Sequence, residues 1–170
     1  SIRYSARACG IGTPSIYHFF GDKDSLYVSC CQQIFGEVEA AIRESFERAA
    51  SAEDRIRNVT VALCEILLNK RDFRRLLQMG LLQDDDRGIE NITFQNFIST
   101  FRVFVRGISE LVGEQGAEER ASMIFSLVFG QIELQRAFQL AHADITEGGD
   151  PEKLARYVLD VALPGRDWKL

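Results

Sequence analysis

The residue types that most often carry catalysis are scarce in this sequence. There are only two histidines, His18 and His142, and there is no H-E-x-x-H, P-loop, G-x-S-x-G or paired E-x-x-H pattern. His142 falls near the end of a predicted helix, where a surface or capping role is the usual one. The sequence therefore argues against an enzyme, and it predicts no cofactor.

Four cysteines are the candidates for redox or metal chemistry. They are Cys9, Cys30, Cys31 and Cys64. Their spacing is not that of metal ligands, and the adjacent Cys30 and Cys31 cannot easily bridge each other within a helix. A thiol sensor would need an exposed cysteine of low pKa beside a cation. We therefore interpret Cys30 and Cys31 as small residues that occupy space in a helix without a chemical role. Reduced thiols in the cytoplasm are the interpretation that the pattern favours.

Three consecutive aspartates, at 84–86, offer oxygen atoms to a metal ion. The ligands would be consecutive along the chain, however, and no partner motif follows them. A solvated loop explains them better, because acidic residues are favourable at the N-terminus of the following helix. No metal site is predicted.

Composition and charge indicate an ordinary globular protein of 170 residues, with 46% hydrophobic and 26% charged residues. The net charge of -5 does not suggest a nucleic-acid partner, but DNA responds to the local field of the contacting face. Residues 1–24 carry a net charge of +1, which is faintly favourable. The longest stretch without charge spans 14 residues, at 8–21, which is too short for a membrane helix. We expect no membrane contact and a cytoplasmic location.

A short segment near the start predicts two helices joined by a tight turn. Apolar residues at the spacing of one helical face come first, and they are Ile2, Ala6 and Cys9. Gly10 suits the left-handed conformation that ends a helix. Pro14 suits the first turn of the next helix, and the Thr13 hydroxyl can cap it. The segment therefore predicts a helix, a glycine turn and a second helix.

This segment resembles the DNA-binding helix-turn-helix of the TetR family of bacterial transcriptional regulators. The family pattern is roughly T-[VI]-x-x-I-A-x-x-A-G-V-S followed by x-x-[ST]-[LI]-Y-x-[HYF]-F-x-x-K-[ED]-x-L. The matching residues, some of them conservative, are Ser1, Ile2, Ala6, Gly10, Ile11, Ser15, Ile16, Tyr17, Phe19, Phe20, Lys23, Asp24 and Leu26. The sequence departs from the pattern at Ser5, Cys9 and Gly12, and the last departure moves the cap of the recognition helix to Thr13.

The resemblance implies which residues would contact DNA. Those expected at base edges are Thr13, Pro14, Ser15 and His18, and those expected at phosphates are Tyr17 and Lys23. For His18, a solvated helix face is an equally good interpretation. The family carries a first helix ahead of the position of Ser1, so we expect this chain to bind DNA less well than one that includes that helix. The predicted head spans residues 1–24, and the predicted body spans residues 25–170.

Beyond the head, apolar periodicity predicts only helices, so the fold class is all-α. The predicted helices lie at 22–48, 51–69, 73–82, 89–112, 117–143 and 154–163. No strand pattern and no internal repeat appears in the sequence. The long helix at 22–48 would connect the head to the body, with Asp22 as its cap.

The helix at 89–112 carries phenylalanines at intervals of three and four residues. By itself this stripe predicts a plain aromatic core. The resemblance implies an alternative, because in TetR regulators the central helices surround an effector pocket. The candidate ligand-binding residues are Met79, Phe94, Phe97, Phe101, Arg102, Phe104, Met123 and Phe129.

The helix at 117–143 is apolar nearly all round between residues 121 and 134, so it needs a second partner. The resemblance implies a homodimer, in which two copies of the closing helices form a four-helix bundle. The candidate interface residues are Ile124, Leu127, Val128, Gln131, Leu134, Phe138, Leu154, Tyr157, Val158 and Val161. The alternative is that both apolar faces of this helix are buried within one subunit.

The resemblance implies a ligand-responsive transcriptional regulator. We expect a repressor that is released from a pseudo-palindromic DNA operator by a small hydrophobic effector. The alternative is a helical small-molecule binding module without DNA recognition, and a gel shift would separate the two.

Overall fold

The computed structural model describes residues 18–82, 89–141 and 149–168. Over these ranges the chain forms six long helices and no strand, which confirms the all-α prediction. The helices are α1 (Lys23–Glu47), α2 (Ala52–Asn69), α3 (Arg71–Leu82), α4 (Ile89–Val112), α5 (Ala117–Leu140) and α6 (Pro151–Ala162). The predicted turn and the start of the recognition helix lie outside the described residues.

Short polar side chains set where three of the helices begin. The Asp22 carboxylate accepts a hydrogen bond from the Ser25 N–H at 2.7 Å, and this bond lowers the pKa of Asp22. Ser51 caps α2 in the same way. Asp150 accepts from two N–H groups of α6, so that helix begins at Pro151, three residues before the predicted start. Helix α3 begins at Arg71, two residues earlier than predicted.

Helix α2 lies at the centre of the body and packs against the other five described helices. Its buried side chains include Ile56, Val59, Leu63 and Leu67. The one hydroxyl among its buried residues, on Thr60, donates to the Ile56 carbonyl oxygen at 2.7 Å, so its polar atom is satisfied. The core therefore runs along α2, and the other helices surround it.

The C-terminal end of α1 is held by a cluster that we call the Phe46 clasp, made of Phe46, Arg55, Arg106 and Glu110. The guanidinium carbons of Arg55 and Arg106 lie 5.3 and 5.2 Å from the Phe46 ring centroid. Glu110 accepts a hydrogen bond from Arg55 Nη1 at 2.5 Å and another from Arg106 Nε at 3.2 Å. The clasp thus fastens the end of α1 to α2 and α4.

The clasp is expected to weaken at acid pH. The hydrogen bond from Arg55 is the main cause that lowers the pKa of Glu110 below its ordinary 4.5. Because the folded-state pKa is the lower one, the carboxylate stabilises the fold above the unfolded pKa, and this contribution is lost as pH falls through the folded value. We expect Glu110→Gln to reduce the free energy of unfolding by about 0.5–1 kcal/mol at neutral pH.

Urea unfolding followed by circular dichroism checks this prediction. The difference between Glu110→Gln and the wild type at neutral pH should shrink when the measurement is repeated at a pH below the folded-state pKa of Glu110. The matched control is Glu114→Gln, which changes an exposed carboxylate in the α4–α5 turn and should have little effect. An equal loss at both pH values would contradict the electrostatic explanation.

Candidate ligand-binding site

The phenylalanine stripe of α4 packs around a single ring on α5. Phe125 lies edge-to-face against Phe97, Phe101 and Phe104, with ring centroids 5.3, 5.7 and 5.0 Å apart. Phe97 and Phe101 also stack on each other. The periodicity of α4 indicated three of these four rings. Phe125 was missed as a site residue, although it lies on the same face of the helix pattern as Phe129.

A small apolar cavity of about 30 Å³ adjoins this aromatic cluster. Five helices line it with Phe35, Val38, Leu63, Phe73, Leu77, Asn96, Phe97, Thr100, Phe125 and Phe129. Its polar lining residues, Asn96 and Thr100, both come from α4. Such a volume holds about one water, whereas ligand sites span about 300–1,000 Å³. A ligand would therefore enter only if the surrounding helices moved apart.

The predicted ligand-binding residues differ in where the structure places their side chains. Phe97 and Phe129 line the cavity, and Phe101 belongs to the aromatic cluster beside it. Phe104 is fully buried in the core and does not line the cavity. For this residue the structure agrees with the interpretation of the stripe as a plain aromatic core. The side chains of Phe94, Arg102 and Met123 lie on the exposed surface and do not line the cavity, so their role in ligand binding stays a prediction. The side chain of Met79 lies outside the described part.

The lining residues that sequence reasoning missed come mostly from α1 and α3. Phe35 and Val38 project from α1, and Phe73 and Leu77 project from α3. The Phe35 and Phe73 rings meet edge-to-face at 5.3 Å. Each helix had been predicted with an apolar face, but periodicity does not say which helices are neighbours.

Helix α1 therefore contacts the cavity in its middle and the Phe46 clasp at its end. A hydrogen bond from Ser99 Oγ to Glu39 Oε1, at 2.7 Å, also joins the middle of α1 to α4. Toward the head, α1 begins at Lys23, whose side chain lies outside the described part, and the helical residue His18 is exposed. Thr13, Pro14, Ser15 and Tyr17 lie outside the described residues.

Helices α3 and α5 are joined by polar side chains. Among the described helices, these two share no extensive packing. Gln78 Nε2 donates to Glu133 Oε2, and Arg74 Nε lies 3.6 Å from Glu133 Oε1. We call Arg74, Gln78 and Glu133 the Glu133 bridge. Two of its members follow the lining residues Phe73 and Leu77 directly, and the third lies one turn beyond Phe129, so the bridge lies beside the cavity.

The predicted interface residues differ in how deeply their side chains are buried. Four of them, Ile124, Val128, Leu154 and Val158, are buried inside the subunit, as the alternative of burial within one subunit expects for these side chains. The reason is that α5 and α6 pack against α2 and against each other. Leu127 and Gln131 are half-buried, and the side chain of Phe138 lies outside the described part.

Exposed apolar side chains nevertheless line the outer side of α5 and α6. We call Met123, Leu127, Leu134, Tyr157 and Val161 the apolar outer face. Leu134, Tyr157 and Val161 are each about half exposed, at 51, 47 and 46%. On α5 the members recur at 123, 127 and 134, with Gly130 between them, which is the spacing of one helical face.

The described residues hold no cluster of metal ligands, and burial raises the pKa of two of their cysteine thiols. No group of three or more histidine, cysteine or acidic side chains within this part is placed to hold a metal ion. Burial raises the pKa of the Cys31 thiol and raises that of Cys64 to about 12. Within the same part, every helix is too short or too polar to cross a membrane.

The chain matches no protein-family model and no curated protein sequence. Its fold is similar to that of the transcriptional regulator FadR from Bacillus subtilis, seen in a crystal structure in complex with stearoyl-CoA. The TM-score is 0.72 at 16% sequence identity, and the match covers 98% of this chain and 89% of the FadR chain. The likeness shows that the two proteins share an all-helical fold, which in FadR belongs to a bacterial transcriptional regulator.

Proposed function

We propose that this protein is a ligand-responsive DNA-binding regulator of the TetR type, which acts in the cytoplasm as a homodimeric repressor. One observation carries the proposal. Helix α1, which continues directly from the predicted DNA-binding head, supplies Phe35 and Val38 to the wall of the apolar cavity. A ligand that enlarged this cavity would push directly on the helix that bears the head. The motif at 1–26 and the likeness to FadR both support the assignment.

The position of the Phe46 clasp makes α1 a lever. The distance along the axis from Phe46 is about 12–17 Å to Val38 and Phe35, and about 35 Å to Lys23. A displacement of about 1 Å at the cavity would therefore move the start of α1 by about 2–3 Å if the helix pivots as a rigid rod at the clasp. Coupling of this kind typically amounts to about 1–3 kcal/mol.

The effector proposed for this cavity is a long-chain acyl-CoA or a related amphiphile. FadR was crystallised with stearoyl-CoA, and the cavity here is bounded almost entirely by aliphatic and aromatic side chains. An extended acyl chain would fill the space between α1, α3, α4 and α5 once they separate. Stearoyl-CoA is therefore the first probe to use.

The apolar outer face supports the homodimer. Its exposed side chains on α5 and α6 would be covered by the same face of a second copy, since an isologous interface uses one patch twice. A dimer holds two recognition helices, and these must lie about 34–36 Å apart, or a multiple of that, to engage a pseudo-palindromic operator.

Selection from a random pool of duplex DNA tests the DNA-binding part of the proposal. The full-length protein should enrich a pseudo-palindrome whose half-site centres are one or more helical turns apart. Replacing Lys23 with alanine should weaken binding about uniformly across sequences and reduce the salt slope by about 1, because this lysine is assigned to a phosphate. The matched control is Lys70→Ala, which removes an exposed lysine from the body.

If the selection enriched no sequence, that result would contradict the proposal that the protein is a DNA-binding regulator. If the same protein still bound stearoyl-CoA, that result would instead identify a helical binding module without DNA recognition.

A further inference from the structure

Helix α3 concentrates positive charge beside the cavity. Its start and the residue before it carry Lys70, Arg71, Arg74 and Arg75 against the single carboxylate of Asp72, in a chain whose net charge is -5. Arg71, Arg74 and Arg75 lie at positions i, i+3 and i+4, and they therefore share one side of the helix. Phe73 and Leu77 line the cavity from an adjacent side of the helix, and Arg74, three positions before Leu77, is the arginine nearest to that side.

Arg74 is the member of this group that is fixed in place next to the cavity. Its Nη1 donates to the Leu67 carbonyl oxygen at 2.6 Å, which ties the guanidinium to the end of α2. Its Nε points to Glu133, but the distance of 3.6 Å exceeds that of a direct hydrogen bond. The Glu133 side chain is 36% exposed, so water competes for this ion pair. Arg74 is therefore positioned for an anion that its present partner does not fully satisfy.

The Glu133 bridge also lies between two cavity-lining helices that share no extensive packing. Helix α3 packs against α1, α2 and α4, and α5 packs against α2, α4 and α6. Within the described part, the bridge supplies the polar contacts between α3 and α5. Separating the two helices there would break one weak ion pair and one hydrogen bond and would lead directly to Phe129 and Leu77.

We infer that the Glu133 bridge is the entrance of the cavity and that its cations hold the anionic head group of the effector. This inference rests on the proposed function, in which the cavity takes the effector's apolar chain. In the closed structure Glu133 occupies the position of the anion on Arg74. On binding, the head group replaces Glu133 at Arg74, and Arg71 and Arg75 add positive charge from their exposed positions on the same side of α3. The effector is thus an amphiphile with a long apolar chain and a negatively charged end.

Calorimetric titration with three ligands of the same chain length tests this inference. The ligands are stearoyl-CoA, stearate and stearyl alcohol, each kept below the concentration at which it aggregates. Arg74→Gln should weaken binding of the anionic ligands about tenfold, because charge-assisted hydrogen bonds are lost, and Arg74→Lys should recover part of the loss. Glu133→Gln should strengthen binding of the anionic ligands several-fold, since it removes the competing carboxylate. Binding of stearyl alcohol should change in none of these variants.

The matched control is Arg43→Gln, an exposed arginine paired with a glutamate on α1 and remote from α3 along the chain. If the variants change the affinity for both stearate and stearoyl-CoA, the entrance accepts any anionic head group. If they change the affinity for stearoyl-CoA alone, the entrance binds the phosphates of coenzyme A. Equal weakening of all three ligands by Arg74→Gln, with no gain from Glu133→Gln, would overturn the inference alone. If none of the ligands bound the wild type, the proposed effector and this inference would both be overturned.

Discussion

Leu134→Glu is expected to convert the proposed dimer into a monomer and to lower operator affinity about a hundredfold or more. Leu134 is 51% exposed in the single subunit and lies within the apolar outer face. In a symmetric dimer the substitution would bury two unpaired carboxylates, at a cost of several kcal/mol. A loss of about 3 kcal/mol corresponds to about a hundredfold in affinity. Light scattering measures the mass, which would fall toward the 19.2 kDa of one chain of this length.

The control for this prediction is Ala40→Glu on α1. Ala40 is exposed and lies on a helix outside the apolar outer face, so a charge there should leave the dimer intact. A wild type that is already monomeric, or a Leu134→Glu variant that remains dimeric, would contradict the assignment of the interface to this face.

Phe104→Ala is expected to destabilise the fold by about 3–5 kcal/mol. The Phe104 side chain is fully buried and packs edge-to-face on Phe125 at 5.0 Å, so its removal leaves a cavity at the centre of α4 and α5. Phe94→Ala is the matched control, since Phe94 is on the same helix but 38% exposed, and it should cost about 1 kcal/mol or less. Chemical unfolding of both variants measures the difference. Equal losses would mean that the α4 stripe does not divide into buried and exposed rings as described.

The sequence alone predicted most helix boundaries, because the signals that set them are local. Asp22 and Ser51 are polar caps that precede apolar periodicity, and the helices that they cap begin within one residue of the predicted start, whereas the helix capped by Asp150 begins three residues early. The spacing of the α4 phenylalanines likewise predicted that their rings would share a face. These features depend on residues a few positions apart.

Features that depend on packing between distant segments were not predictable in the same way. The apolar residues Val128 and Leu134 on α5 look equivalent in the sequence, yet α2 and α6 cover only one side of α5, so one is core and the other is surface. Periodicity shows that a face is apolar but not what covers it. The Glu133 bridge could not be predicted from the sequence either, because Arg74 and Glu133 lie 59 positions apart and look like ordinary surface charges.

No sequence pattern predicts the Phe46 clasp either. Arg55 and Arg106 come from different helices, and only the fold brings both to the same ring. The proposed lever depends on this cluster, since a helix that was free at both ends would shift as a whole when the cavity enlarged.

The most direct test of the central claim is fluorescence anisotropy of the selected operator with the full-length protein, titrated in the presence and absence of stearoyl-CoA. If the effector acts through the cavity and α1, stearoyl-CoA should weaken operator binding by about fivefold to a hundredfold, and coenzyme A without an acyl chain should have no effect. Operator affinity that is unchanged while stearoyl-CoA is shown to be bound would contradict the claim that this cavity controls the DNA-binding head.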